Sequence, residues 1–332
     1  MKLFQVQMRK SAIAAGQMIL LLLMVGCTAH SPDKVAGDVG SNSAFAANTS
    51  QPPTQQEKED AELTARLTAI CERAGGTVGV AVTHVETNRT VVVEGARQLP
   101  LYSVFKLPLA VAVLKDVEEN QLRLEQKVRV TPEEVVPGWE GNSALWRKPV
   151  ERSVRELLEI AIVRSDNTSS DKLLQLVGGP AKVTERMRSL GFSGINIQFS
   201  VREFVAQREK RNAGSASDLA HLLARLQKGD VLQPPQLTLL LEFMSRATTG
   251  TRRLRGDLPP GTPVADKTGT GENGSSTNDV GIITLPVGKG HLAMAVLVSG
   301  SKLSAEEQEK LIAELARAAY DAHVSRTAPA SR

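Results

Sequence analysis

The sequence predicts an α+β fold: an antiparallel sheet flanked by N- and C-terminal helices, joined to an all-helical lobe. Three observations lead there. Strand patterns appear near both ends of the 332-residue chain, first in "TVGVAVTHVETNRTVVVEG", then in "VADKTG", "NDVGIITLP" and "HLAMAVLVSG". Helical spacing of apolar residues dominates between them, from about Val104 to Met244. Amphipathic helical segments bracket both, from about Gln56 to Arg73 and from about Ala305 to Ala322. Early and late strands pair most simply in one sheet under the terminal helices, leaving the middle as a second lobe.

Taken in order, the chain starts with Lys2, Arg9 and Lys10, then the apolar run "AIAAGQMILLLLMVG". That run is short for a membrane span and has the length of a signal-peptide core. It closes on "MVGC", which resembles a bacterial lipobox, so residues 1–26 are expected to be a lipoprotein signal peptide and Cys27 the lipidated first residue. Residues 27–55, rich in Ser, Ala, Asn, Gln and Pro without apolar periodicity, read as a flexible linker. Residues 56–325 read as one folded unit, with a sheet lobe at about 56–100 and 245–325 and a helical lobe at about 101–244. The two early strands are expected to turn at Thr87-Asn88.

Composition narrows the function. The formal charge is +4, and aromatics make up 3% with no basic stripe among them, which argues against nucleic-acid binding. With Cys27 lipidated, Cys71 is left unpaired and no internal disulfide is expected. Two cysteines and five histidines without HxH or HxxxH spacing give no basis for a metal site, and no cofactor is expected.

Three short motifs carry chemistry. In "LYSVFKLPLAVAVL", Ser103 and Lys106 stand three apart at the start of an apolar helix, on one face. A lysine there is costly to desolvate; kept neutral, it can take a serine's proton and make Ser103 a nucleophile. In "VRSDNTSSDKLL", Ser165 can relay a proton, Asp166 brace the loop and Asn167 hold a substrate amide, although Ser, Asp and Asn also serve as ordinary helix caps. In "VADKTGTGENG", Lys267 offers a charge to a carboxylate, Thr268 a hydroxyl, and Gly269 lets a ligand approach the strand.

Each motif is weak alone. In this order they resemble the S-x-x-K, S-D-N and K-T-G set of class A β-lactamases and penicillin-binding proteins. The spacings, 62 residues from Ser103 to Ser165 and 102 from Ser165 to Lys267, also resemble class A, and the likeness covers about residues 58–322. The resemblance implies a β-lactamase/transpeptidase-like fold and a catalytic domain acting on β-lactams or peptidoglycan stem peptides. It implies that Ser103 is acylated, Lys106 accepts a proton, the Ser103 and Thr270 N–H groups form an oxyanion hole, and Ser165 protonates the leaving nitrogen. It further implies that Asn167 binds the substrate's side-chain amide and that Lys267, Thr268 and Thr270 hold its carboxylate. Arg253 falls where some relatives place an extra carboxylate-binding arginine, with Arg252 its close competitor.

One element of the family pattern is missing. Class A enzymes carry E-x-x-L-N, whose glutamate activates the deacylating water; here "INIQFSVREFVAQREKRNAGS" has none. Val201 takes the glutamate's register, Phe204 stands three residues on, and Glu203, the nearest acid, is the substitute base that the loop offers. Glu209 sits in the charged run "REKR". Trp139 and Trp146 are read as either lining the cleft or packing. His84, His221 and His291 show no carboxylate or cysteine partner at useful spacing.

The expectation is thus a monomeric, exported, membrane-anchored serine β-lactamase on the periplasmic side. Thr28 after the cysteine points to the outer membrane if there are two. Its rivals are a D-Ala-D-Ala carboxypeptidase or transpeptidase with slow deacylation, and a non-catalytic sensor of β-lactams or peptidoglycan fragments.

Overall fold

A computed structural model describes residues 52–137, 144–207, 209–271 and 274–325. The expected signal peptide, Cys27, most of the linker, and Trp139 lie outside the described residues. No helix among the described residues is long and apolar enough to cross a membrane.

Helix α1 (Gln55–Glu72) opens with a reciprocal capping box between Thr54 and Glu57. Strands β1 (Thr77–His84) and β2 (Arg89–Val93) follow, and Asn88 between them has φ 57°, a left-handed turn conformation Asn tolerates. A short β3 (Leu99–Pro100) leads into a 3-10 turn, Tyr102–Phe105, and then α2 (Lys106–Glu118).

The middle comprises β4 (Lys127–Val130), β5 (Val150–Ser153), α3 (Val154–Val163), α4 (Asn167–Leu176) and α5 (Pro180–Ser189). It continues through β6 (Ile195–Asn196), α6 (Val201–Ala206), β7 (Ala213–Gly214), α7 (Ala216–Gln227) and α8 (Pro234–Ser245). The chain then returns to the sheet with β8 (Val264–Thr270), β9 (Thr277–Thr284) and β10 (His291–Ser299), and ends in α9 (Ala305–Ser325).

The sheet has the order β2-β1-β10-β9-β8, antiparallel throughout, so early and late strands meet at β1 and β10. Period-2 alternation gives it two buried faces. Val78, Val80, Val82, Met294 and Val296 pack with Leu63, Leu67, Leu311 and Leu315 of the terminal helices. Ala81, Ala293, Ala295 and Leu297 face the helical lobe, where α7 lies on β1, β9 and β10. Small residues on that face bring the lobe's helices close to the sheet.

The middle is not wholly helical. β4 pairs with β5, and two-residue strands form a second small sheet, β3-β7-β6. Two residues are too few for alternation to register, which is why sequence pattern missed them.

Candidate active site

The site lies where the 3-10 turn, the α3–α4 connection and edge strand β8 converge. Tyr102, just before the serine, has φ 47°, an uncommon conformation for a bulky residue and one that persists only where surroundings hold it. Ser103 follows at the start of the helical run. Its segment sits hard against β8: a Cβ on Gly269 would lie 2.5 Å from the Leu101 carbonyl oxygen and 3.2 Å from the Ser103 nitrogen. Gly269 was expected to admit a ligand. The closer constraint is the chain's own backbone, which needs that space.

Lys106 is buried, and its ammonium position is fixed by four neutral acceptors. Nζ donates to Ser103 Oγ (3.0 Å), the Ser165 carbonyl (2.6 Å) and Asn167 Oδ1 (2.9 Å), with Ser165 Oγ at 3.4 Å. Burial, and then the charge of Lys267, push its pKa well below the usual lysine range; Asp166 opposes this. A neutral amine 3.0 Å from a hydroxyl is a proton acceptor in place.

Ser165 has φ 54°, and its Oγ lies 3.4 Å from Lys106 Nζ and 3.0 Å from Lys267 Nζ. Asp166 is the N-cap: Oδ1 accepts the Ser169 N–H at 2.7 Å, and Oδ2 accepts from Trp146 Nε1 at 3.2 Å. The capping and chemical readings of S-D-N therefore coexist, because the aspartate caps while serine and asparagine reach Lys106. Trp146, read as either lining or packing, is buried and braces this cap. Asn167 Nδ2 donates to the Pro137 carbonyl (2.7 Å).

From β8, Lys267 donates to Ser165 Oγ at 3.0 Å and to the Thr268 carbonyl at 2.9 Å. Its burial lowers its pKa to about 7, against the pull of Asp266 and Asp279. Ser165 thus stands between two lysines. Thr268 shares a hydrogen bond with Thr249 (2.6 Å). Arg253 is buried and donates to the Gly269 and Asn278 carbonyls (3.1 and 2.9 Å) and to Thr270 Oγ1 (2.8 Å). Its competitor Arg252 points outward to Glu306 and Glu309.

Ser103, Ser165, Asn167, Thr268, Thr270 and Arg253 line one cavity of about 550 Å³. Sequence reading did not anticipate Glu309, which also lines it and pairs with Arg253 at 3.2 Å. Its sole sequence signal was a place in the first turns of the last helix.

Glu203 is not brought to this cluster. Its carboxylate accepts the Ser200 N–H (2.8 Å) and Ser200 Oγ (2.9 Å) in a capping box for α6, and those hydrogen bonds hold its pKa below the ordinary glutamate value. Val201 is the first residue of α6 and fully buried, and its N–H is tethered by Asp171 Oδ1 at 2.9 Å. Asp171, six residues after Ser165 in the S-D-N helix, went unnoticed in the sequence.

The histidines require a correction. His291 Nδ1 lies 2.7 Å from Glu86 Oε1, a partner far off in sequence and so invisible to spacing. His84 also lies near Glu86, with Nε2 3.6 Å from Oε2, and contacts Thr87 and the Lys289 carbonyl, while His221 packs edge-on against Phe192. Cys71 is buried and unpaired, and burial pushes its thiol up to about 12. Among the described residues no group of three His, Cys, Asp or Glu is placed to hold a metal.

Comparisons with known proteins agree on one family. The model of the β-lactamase enzyme family matches residues 62–323. The extended-spectrum β-lactamase PER-1 of Pseudomonas aeruginosa is 34% identical over 252 residues, covering 74% of this chain and 82% of that protein. β-Lactamase VEB-1 of the same organism is 29% identical over 273 residues, covering 80% and 91%. Among solved structures, a β-lactamase from Chitinophaga pinensis superposes with TM-score 0.76 at 34% identity, covering 79% of this chain and 99% of that one. The TLA-1 extended-spectrum β-lactamase superposes with TM-score 0.76 at 33% identity, covering 80% and 100%.

Proposed function

The chain belongs to the β-lactamase enzyme family, and from that premise we propose that it is a class A-type serine β-lactamase opening the β-lactam amide through an acyl-enzyme on Ser103. The observation that carries this is the 3.0 Å contact between a buried, deprotonation-prone Lys106 and Ser103 Oγ. Lys106 takes the serine proton as Oγ attacks the lactam carbonyl. The C–N bond then breaks, and Ser165, in contact with both lysines, delivers a proton to the leaving nitrogen. Lys267, Thr268, Thr270 and Arg253 receive the substrate carboxylate, and Asn167 its side-chain amide. Backbone N–H groups of Ser103 and Thr270 hold the oxyanion.

A second reading rests on a specific observation. The register of the deacylating glutamate holds buried Val201, and Glu203 is committed to a helix cap. On this reading neither Val201 nor Glu203 supplies water with a base, and the acyl-enzyme persists, as in a penicillin-binding carboxypeptidase or transpeptidase.

Intact mass followed over time, with excess benzylpenicillin and parallel measurement of ring opening, tests both. An adduct on Ser103 that appears and vanishes with many rings opened per enzyme supports the hydrolase. A lasting adduct with about one ring per enzyme supports the second reading. No adduct overturns both and leaves the sensor.

For location, the basic start, the apolar run and "VGC" support an exported protein anchored through lipidated Cys27 on the periplasmic side, in the outer membrane where there are two. Cys27→Ala should release the protein from membranes; retention would overturn the anchor.

A further inference from the structure

Behind Lys267, on the reverse face of the sheet, two carboxylates are buried side by side. Along β8, Ala265 packs on the helical-lobe core and Val264 on the terminal-helix core. Alternation therefore puts Lys267 on the first face and Asp266 on the second. On β9, Asp279 shares the second face with Ile283. The register pairs Asp266 with Gly281 and Thr268 with Asp279, so the two acids are diagonal neighbours. A Cβ on Gly281 would stand 2.9 Å from that of Asp266, so glycine leaves the pair its room.

Both acids are fully buried, and each has one satisfied oxygen. Asp266 Oδ1 pairs with Arg255, and Asp279 Oδ2 accepts the Leu254 N–H at 3.1 Å. Asp266 Oδ2 and Asp279 Oδ1 have no partner. Two ionised carboxylates in contact would repel strongly in so dry a place. One proton resolves both vacancies: Asp279 Oδ1–H donates to Asp266 Oδ2, and Asp266 stays ionised opposite Arg255. The positive charges acting on the pair are those of Arg255 and Arg253 and, from across the sheet, Lys267. Burial raises both acids, Asp279 well above its ordinary value with the Asp266 charge adding to the effect, while Arg255 restrains Asp266.

The contacts also define what the pair does. Three consecutive residues divide their work: Arg253 grips Gly269, Asn278 and Thr270 in the cavity, the Leu254 N–H binds Asp279, and Arg255 binds Asp266. We propose that Asp266 and Asp279 hold one proton between them and, as a pair, position Arg253 and Lys267 for the anionic end of the substrate. This rests on the reading of the cavity as the site of a carboxylate-bearing β-lactam.

The pair is asymmetric, and that is the test. Asp279→Asn can still donate to Asp266 and accept from Leu254, so the half-saturating benzylpenicillin concentration for acylation should stay within about threefold of the parent. Asp266→Asn removes the anion facing Arg255 and should raise that concentration by roughly tenfold or more, moving the saturated acylation rate less. The parent's infrared spectrum at pH 7 should contain an un-ionised carboxylic acid band that Asp279→Asn abolishes. Equal effects of the two variants, or no band lost in Asp279→Asn, overturns the proposal. Should Asp266→Asn not fold, the infrared comparison decides alone. A parent that shows the band but is not acylated overturns the catalytic reading and the positioning role with it; an acylated parent without the band overturns the pair alone.

Discussion

Lys106 Nζ lies 3.0 Å from Ser103 Oγ, and all four acceptors around it among the described residues are neutral oxygens. A protonated amine this deeply buried gains no ion-pair energy from those neighbours, while Lys267 opposes its charge. The uncharged amine is the form the site favours, and it is the form that accepts a proton. Lys106→Met keeps length and burial but removes the acceptor. Acylation of Ser103 should slow by about 10²–10⁴-fold. Ser103→Ala should give no adduct at all. Intact mass against time reads both.

The two lysines give the pH profile opposite limbs. Lys106 must be neutral, so acylation rises as pH climbs through its lowered pKa. Lys267 must be charged to hold a carboxylate, and it loses its proton near pH 7. The second-order rate constant for benzylpenicillin should therefore fall above about pH 7 in the unliganded enzyme. A β-lactam whose carboxylate is esterified should keep the rising limb and lack the falling one. Linkage adds a stability effect of fixed sign. Between about 7 and the ordinary 10.5, an unfolded Lys267 still binds the proton that the folded one has released, so this residue's contribution to stability rises with pH over that window. Denaturant midpoints of the parent and Lys267→Met across that window check the difference.

Glu203→Gln separates a cap from a base. The carboxylate accepts from Ser200 at the start of α6 and is otherwise exposed. Glutamine keeps an oxygen that accepts from Ser200, and Ser200 Oγ still accepts the backbone N–H at position 203, so the cap survives and stability should fall by less than about 1 kcal/mol. The lifetime of the acyl-enzyme should not change. A tenfold longer lifetime would make Glu203 the deacylating base after all and require α6 to move.

What the sequence conveyed, and what it did not, follows from distance along the chain. Ser103 and Lys106 are three apart, so helical geometry alone placed them together. That early and late strands share one sheet followed from strand patterns at both ends of the chain, whereas the meeting of β1 with β10 came from the fold. The contacts that assemble the site are long-range: Lys267 meets Ser165 across 102 residues, and Glu309 meets Arg253 across 56. Motif order could hint at the first but had nothing to say of the second. The Asp266–Asp279 pair was hidden differently. Each aspartate reads as an ordinary polar residue, and only strand register makes them neighbours. Val201 was legible as a departure, but its burial, and the commitment of Glu203 to Ser200, required the fold.

Gly269 supplies the sharpest test of how the nucleophile is held. It lies within a regular strand, not at a left-handed turn, so backbone strain does not require glycine there. What requires it is close approach: a Cβ would meet the Leu101 oxygen at 2.5 Å, the Val104 nitrogen at 3.1 Å and the Ser103 nitrogen at 3.2 Å. All three are main-chain atoms, so no side chain can swing aside. Gly269→Ala must push the 3-10 turn away from β8, carrying Ser103 off the line between Lys106 and the Thr270 end of the strand. Displacement of the nucleophile by a fraction of an ångström is costly in a preorganised site, and acylation should fall about 10²-fold or more. The sheet and its register do not depend on this contact, so far-ultraviolet circular dichroism should be unchanged and stability only modestly reduced. Acylation by Gly269→Ala at the parental rate would mean that the turn is not seated against β8 in the working enzyme.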